Sequence, residues 1–142
     1  MGIRTDVIIA SISEAEAICA DLKHHLHWPC LQWRNIDGEL FGDLMAVLGE
    51  DDDAKALRTG KRIIYTAGVG NQLVCHLPDT LPTLLAKLDD EKIPGVAKRW
   101  AQEIVDVRVE VDGPIVQALT ELRDFSRRAV AANKPLLLWL SW

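Results

Sequence analysis

The final stretch of the chain, KPLLLWLSW, constrains the fold more than any other. Leu136, Leu137, Leu138, Trp139 and Leu140 are apolar without interruption. A strand with one wet face alternates polar and apolar residues, and this one does not, so both of its faces need cover. The segment before it, DGPIVQALTELRDFSRRAVAAN, has the spacing of one long amphipathic helix. Ile115, Leu119, Leu122, Ser126 and Ala129 follow a 4-3-4-3 rhythm, and Val116, Phe125 and Val130 widen the stripe. Asp112 suits the N-cap and Pro114 the first helical positions. Arg123, Arg127 and Arg128 favour the negative end of the helix dipole. Asn133 suits a left-handed C′ position, and Pro135 prevents continuation. Trp139 and Trp142 are expected to pack.

The rest of the chain supplies elements to pack around this pair. Residues 4–10 predict a first strand. Ser13 and Glu16 have capping-box spacing and open a helix that buries Cys19. The segment from His24 to Asn35 predicts a loop or a broken helix end, because Pro29 disfavours helix at Trp28. Asp37 and Gly38 lead into a helix that Gly49 terminates. Glu50 to Lys61 predicts a solvated connector with one helical turn, since Glu50, Asp51, Asp52 and Asp53 repel one another. KRIIYTAG and NQLVCHLP predict a hairpin turning at Gly68-Val69-Gly70. Asp79 or Thr80 starts a third helix over residues 80–92, with Pro82 in its first turn. A fourth begins at Pro94. Val105, Val107, Val109 and Val111 alternate with charged residues in the pattern of a short strand, or of an extended linker.

The sum is an α+β fold: a small, mostly antiparallel sheet of the first strand, the central hairpin and the C-terminal strand, packed by four to five helices. A chain of 142 residues with no linker or repeat predicts a single globular domain, 1–142. A net charge of −5 with scattered Lys and Arg argues against nucleic acid and leaves a basic protein as a partner. The start, MGIRTDVIIASISEAEAI, lacks the character of a secretory signal, and the terminal apolar run is too short for a membrane. Cys19, Cys30 and Cys75 are odd in number and lack CxxC spacing. A cytoplasmic protein with reduced thiols is the expectation.

LPDTLPTLLAKLDDEKIPGVAKRWAQ, the long helix and the KPLLLW strand resemble a group of small uncharacterised bacterial proteins over residues 77–142. WRNIDGELFGDLMAVLGE is similar to a region of the YfbM-like bacterial proteins. The resemblance implies a compact cytosolic domain and transfers no catalytic residue.

Three arrangements bear on chemistry. His24, His27 and Cys30 recur at intervals of three, which on a continuous helix would place them on one face as ligands for zinc or another transition metal. Cys30 with a nearby histidine is the residue pair of a thiol nucleophile and its base. Cys75 and His76 are strand neighbours and point to opposite faces, so they cannot pair. Asp37, Glu39 and Asp43 fit the solvated outer face of a helix. Gly68-Val69-Gly70 lacks the features of a phosphate loop, and no cofactor is expected.

Trp28, Trp33 and Arg34 are of the types that dominate interface hot spots. The acids Glu50, Asp51, Asp52 and Asp53 can steer a basic partner. The resulting expectation is a non-enzymatic protein-binding module, such as a bacterial inhibitor or immunity-type protein. The alternative is a small metal-binding or thiol-dependent enzyme built on His24, His27 and Cys30. A homodimer formed by edge pairing of the C-terminal strand is a third arrangement.

Overall fold

The computed structural model describes residues 2–68, 70–103 and 114–142. Its strands are β1 (Arg4–Ile9), β2 (Cys30–Arg34), β3 (Ile63–Ala67), β4 (Gln72–His76) and β5 (Leu136–Ser141). They form one sheet in the order β2-β1-β5-β4-β3, with every neighbouring pair antiparallel. The helices are α1 (Ala15–Ala20), α2 (Gly38–Val47), α3 (Asp51–Arg58), α4 (Thr80–Ala86), α5 (Ile93–Glu103) and α6 (Pro114–Ala132). The α+β expectation therefore holds. Among the described residues no helix is long and apolar enough to cross a membrane.

β5 occupies the centre of the sheet, and Leu136 to Leu140 are all buried. Leu136, Leu138 and Leu140 face a large core that includes Val7, Phe41, Leu85, Trp100, Leu119 and Phe125, which brings α2, α4, α5 and α6 onto one face. Leu137 and Trp139 face a smaller core with Ile8, Val74, Ala15 and Ile18. One face is thus thickly covered. The other is covered by α1 and the 3-10 turn His24–Leu26. The central position of β5 also rules out a dimer formed by edge pairing of that strand. Both edges of this strand are already paired, with β1 and β4, so it has none to offer a second copy.

α6 ends as its sequence dictates: Asn133 has φ 52°, and the Lys134 amide donates to the Ala129 carbonyl. The hairpin turns through Gly68 and Gly70, both at positive φ, while Val69 lies outside the described residues. The strand pattern of residues 105–111 and the Asp112 cap also lie outside them.

Four expectations need correction. The segment 30–34 is an edge strand, not a loop. Leu31 and Trp33 alternate with Gln32 and Arg34, and Pro29 sits just before the strand, where its missing N–H does no harm. Its carbonyl accepts from the Ile9 amide, which extends the pairing with β1. Residues 51–58 are a full helix, not a connector. The three acids of its first turn favour the positive end of the helix dipole, and Ala54 and Leu57 bury its inner face. The capping box sits two residues earlier than expected, with the Ser11 amide donating to Glu14 Oε1 at 2.9 Å. The helix expected over 80–92 stops at Ala86, and a 3-10 turn at Asp90–Lys92 leads into α5.

Candidate functional site

Two of the buried polar side chains, Asp6 and His24, meet on the thinly covered face. Register aligns three rows of side chains across this face. Cys30, Ile8, Leu137 and His76 form the row under the helical cover. Gln32, Asp6, Trp139, Val74 and Tyr65 form the middle row. Arg34, Arg4, Ser141, Gln72 and Ala67 form the row at the open end.

Asp6 and His24 are both 0% exposed. His24 Nδ1 lies 2.6 Å from Asp6 Oδ2, and Nε2 lies 2.7 Å from the Ile18 carbonyl oxygen. A carbonyl only accepts, so Nε2 carries a proton. A second proton lies between Nδ1 and the carboxylate, since two lone pairs at this distance would repel. With Asp6 ionised, His24 is an imidazolium that donates from both nitrogens. Ile18 lies near the C-terminal end of α1, where the helix dipole favours a cation. The Trp139 ring meets the imidazole edge-on, with centroids 4.5 Å apart. Asp6 Oδ1 has no hydrogen-bond partner among the described residues.

This geometry separates the residues of the metal and thiol readings. Both His24 nitrogens are engaged, so neither has a lone pair for a metal or a thiol proton. His27 is exposed and pairs with Asp21 at 3.2 Å. Cys30 is half-buried on β2, and burial together with the Asp6 charge pushes its thiol up to about 12. It is a neutral thiol at ordinary pH. Burial likewise pushes Cys75 up to about 11 and raises Cys19. Among the described residues no three His, Cys, Asp or Glu side chains are placed to hold a metal ion.

The two tryptophans of the expected binding loop lie on opposite sides of the sheet. Trp28 packs beside the smaller core, and its indole N–H donates to Glu14 Oε2 at 2.8 Å. That bond, helped by the Ser11 amide, holds the Glu14 carboxyl below its usual range. Trp33 packs against the larger core and stacks on Phe41 with ring centroids 6.2 Å apart. Both are half-buried, so they do not form one surface. Arg34 is exposed on β2.

The acids are brought together on α3. Asp51 and Asp52 are exposed, Glu50 is half-buried at the N-cap, and Asp53 accepts from the Thr80 hydroxyl at 2.6 Å. No Lys or Arg among the described residues lies within salt-bridge distance of these four.

Two surface features carried no sequence signal of function. An open cleft of about 420 Å³ runs between the C-terminal end of α6 and the start of α4. Ile12, Pro82, Val130 and Lys134 line it, and His76 Nε2 lies 3.2 Å from Asp79 Oδ1 at its side. The second feature is β3, an edge strand that exposes Ile63 and Ile64 by 40% and 36%. Its register with β4 slips between Ile63 and Tyr65, which marks Ile64 as a bulge residue. Alternation hides this strand's role, because IIYTA has the composition of an ordinary buried strand. Only the strand order places it at an edge.

No protein-family profile, curated protein or solved structure matches the chain.

Proposed function

We propose that this protein is a non-enzymatic binding module that takes an extended segment of another protein along β3 as a sixth strand. The observation that carries the reading is the edge itself. Natural sheets blunt their edges with inward charges, Lys or Pro, because free backbone groups recruit other strands. β3 has a single bulge, at Ile64, but no charged residue and no Pro between Ile63 and Ala67, and it adds two exposed isoleucines. A shallow groove bounded by Ile63, Ile64, Tyr65 and Thr66 follows it. This is the arrangement used in strand-addition recognition: backbone bonds supply affinity, and alternate side chains supply specificity.

The acids of α3 support a basic partner, which they would attract through long-range steering. An inhibitor or immunity-type protein is the concrete form of this reading. The engaged imidazole of His24 and the neutral thiols weigh against the enzyme alternative, since they leave no nucleophile–base pair at either place.

The test compares capture from host lysate by the wild type, an Ile64→Lys/Thr66→Lys variant and an Asp51→Lys/Asp52→Lys variant. All four positions are exposed, so the fold should survive, and circular dichroism checks that it does. The edge variant should lose the captured protein. The acid variant should bind it with a slower on-rate at low salt and a weakened salt dependence. Capture unaffected by the edge variant would sink the strand-addition reading.

A further inference from the structure

We propose that Arg4 and Arg34, at the open end of the thinly covered face, form a binding site for a dianionic oxyanion of the phosphomonoester class. The site lies on β1 and β2, on the opposite side of the sheet from β3, and is independent of the strand-addition reading.

The argument begins with register. Arg4 of β1 stands directly opposite Arg34 of β2, so their side chains leave the same face from adjacent positions. Like charges in that relation destabilise a sheet. The surroundings compensate this pair only in part. The nearest carboxylate is Asp6, 3.7 Å from Arg4 Nη2. The oxygen that approaches Arg4 is the one that receives the His24 proton, so the Asp6–His24 pair is internally neutralised. No carboxylate among the described residues lies within salt-bridge distance of Arg34. Two arginines therefore leave one face from paired positions of adjacent strands, in a chain of net charge −5.

The site is also preorganised. Arg4 is not a loose surface side chain. Its Nη2 donates to the Leu22 carbonyl at 3.0 Å, and its guanidinium lies over the Trp139 ring, 5.1 Å from the centroid. Trp139 is fixed in turn, with its indole N–H donating to Gln72 Oε1 at 3.0 Å. Ser141, opposite Arg4 on β5, offers a hydroxyl in the same row. A planar guanidinium presents paired N–H donors that match the oxygens of phosphate or carboxylate. A dianion balances both arginines. A monocarboxylate balances one and leaves the cross-strand repulsion half relieved, which favours the phosphate class.

The test uses the full chain and inorganic phosphate at mildly alkaline pH, with ionic strength held constant by sodium chloride. The Trp139 indole signal in a proton–nitrogen correlation spectrum should shift saturably. The melting temperature should rise by about 3–6 °C at tenfold saturation or more. Acetate at the same ionic strength should give a small fraction of either response. Arg34→Glu should abolish the phosphate response and, in its absence, raise the melting temperature by about 1–3 °C, because it converts the like-charge pair into an opposite one. That gain separates a lost site from a damaged fold. Phosphate that acts no differently from chloride, acetate that matches phosphate, or a phosphate response that survives Arg34→Glu would each overturn the proposal.

Discussion

Truncating Asp6 should be among the most damaging single changes available in this chain. Asp6→Ala leaves His24 fully buried with no partner at Nδ1, while Nε2 remains tied to the Ile18 carbonyl. Breaking a buried ion pair by removing one member costs about 3–5 kcal/mol, because the survivor must shed its charge or stay uncompensated. A domain of this kind has about 5–15 kcal/mol in total, so the loss is roughly a fifth of it or more. The melting temperature should fall by about 6–20 °C. Urea unfolding followed by tryptophan fluorescence measures it, with m unchanged if the native state keeps its compactness. The decisive comparison is the double variant Asp6→Val/His24→Leu. Removing both charges leaves an apolar contact against Trp139 and Ile8, and should cost less than about 1 kcal/mol or stabilise. The two single losses should then exceed the double loss by about 2 kcal/mol or more. If Asp6→Ala costs under about 1 kcal/mol, or the single losses simply add, the two groups are not the coupled pair described here.

The remaining predictions concern titration. The folded state favours neutral Cys30 and Cys75, whose thiols are pushed up to about 12 and about 11 from an ordinary 9.0. Their contribution is complete below the ordinary thiol value and is lost as pH climbs from there through those folded values. Cys30→Ala should flatten the alkaline limb of the stability profile, and iodoacetamide should label native Cys30 slowly and the urea-unfolded chain fast. Glu14 has the opposite sign: its folded carboxyl is held low, chiefly by the Trp28 indole N–H, so its contribution is present above the ordinary carboxylate range and lost as pH falls through the folded value. Glu14→Gln should flatten the acid limb of the urea-midpoint profile, and an unchanged acid limb would mean that the Trp28 bond contributes nothing.

What was legible in the sequence is what period and capping encode. The uninterrupted apolar run at Leu136–Leu140 implied a strand covered on both faces, and β5 has that place. The α6 stripe, the helix entry at Asp37 and Gly38 and the Gly49 stop were readable for the same reason: each is a local rule with a local residue. Pairing is not local. Pro29 obscured β2, although Leu31 and Trp33 already alternated with Gln32 and Arg34. The run Glu50 to Asp53 looked repulsive in one dimension, but three of these acids occupy the first turn of α3, where the dipole tolerates them. The site was harder still. His24 stood out, but in a supposed triad with His27 and Cys30. Its real partner, Asp6, lies 18 residues earlier on β1, where it follows Arg4 and Thr5 and looks like a strand-end charge.

The position of that pair follows from the imbalance of the fold. The thick face has Leu, Phe and Trp side chains from five helices to fix how its layers sit. The thin face has one short helix and a 3-10 turn, and α1 offers little more than Ala15, Ile18 and Cys19 to grip the sheet. Apolar contacts are non-directional, so so small a set fixes an orientation weakly. A doubly engaged imidazole does fix one. His24 ties the 3-10 turn to β1 through Asp6 and to α1 through the Ile18 carbonyl, joining three chain segments at one ring. Such a pair can cost stability relative to a well-packed apolar replacement and still be retained for the geometry it imposes. Here that geometry extends to Arg4, which reaches over Trp139 to the Leu22 carbonyl just before the turn. The Asp6→Val/His24→Leu protein should therefore stay folded yet lose the Trp139 indole response to phosphate, separating the stability of the face from the orientation of the arginine it holds.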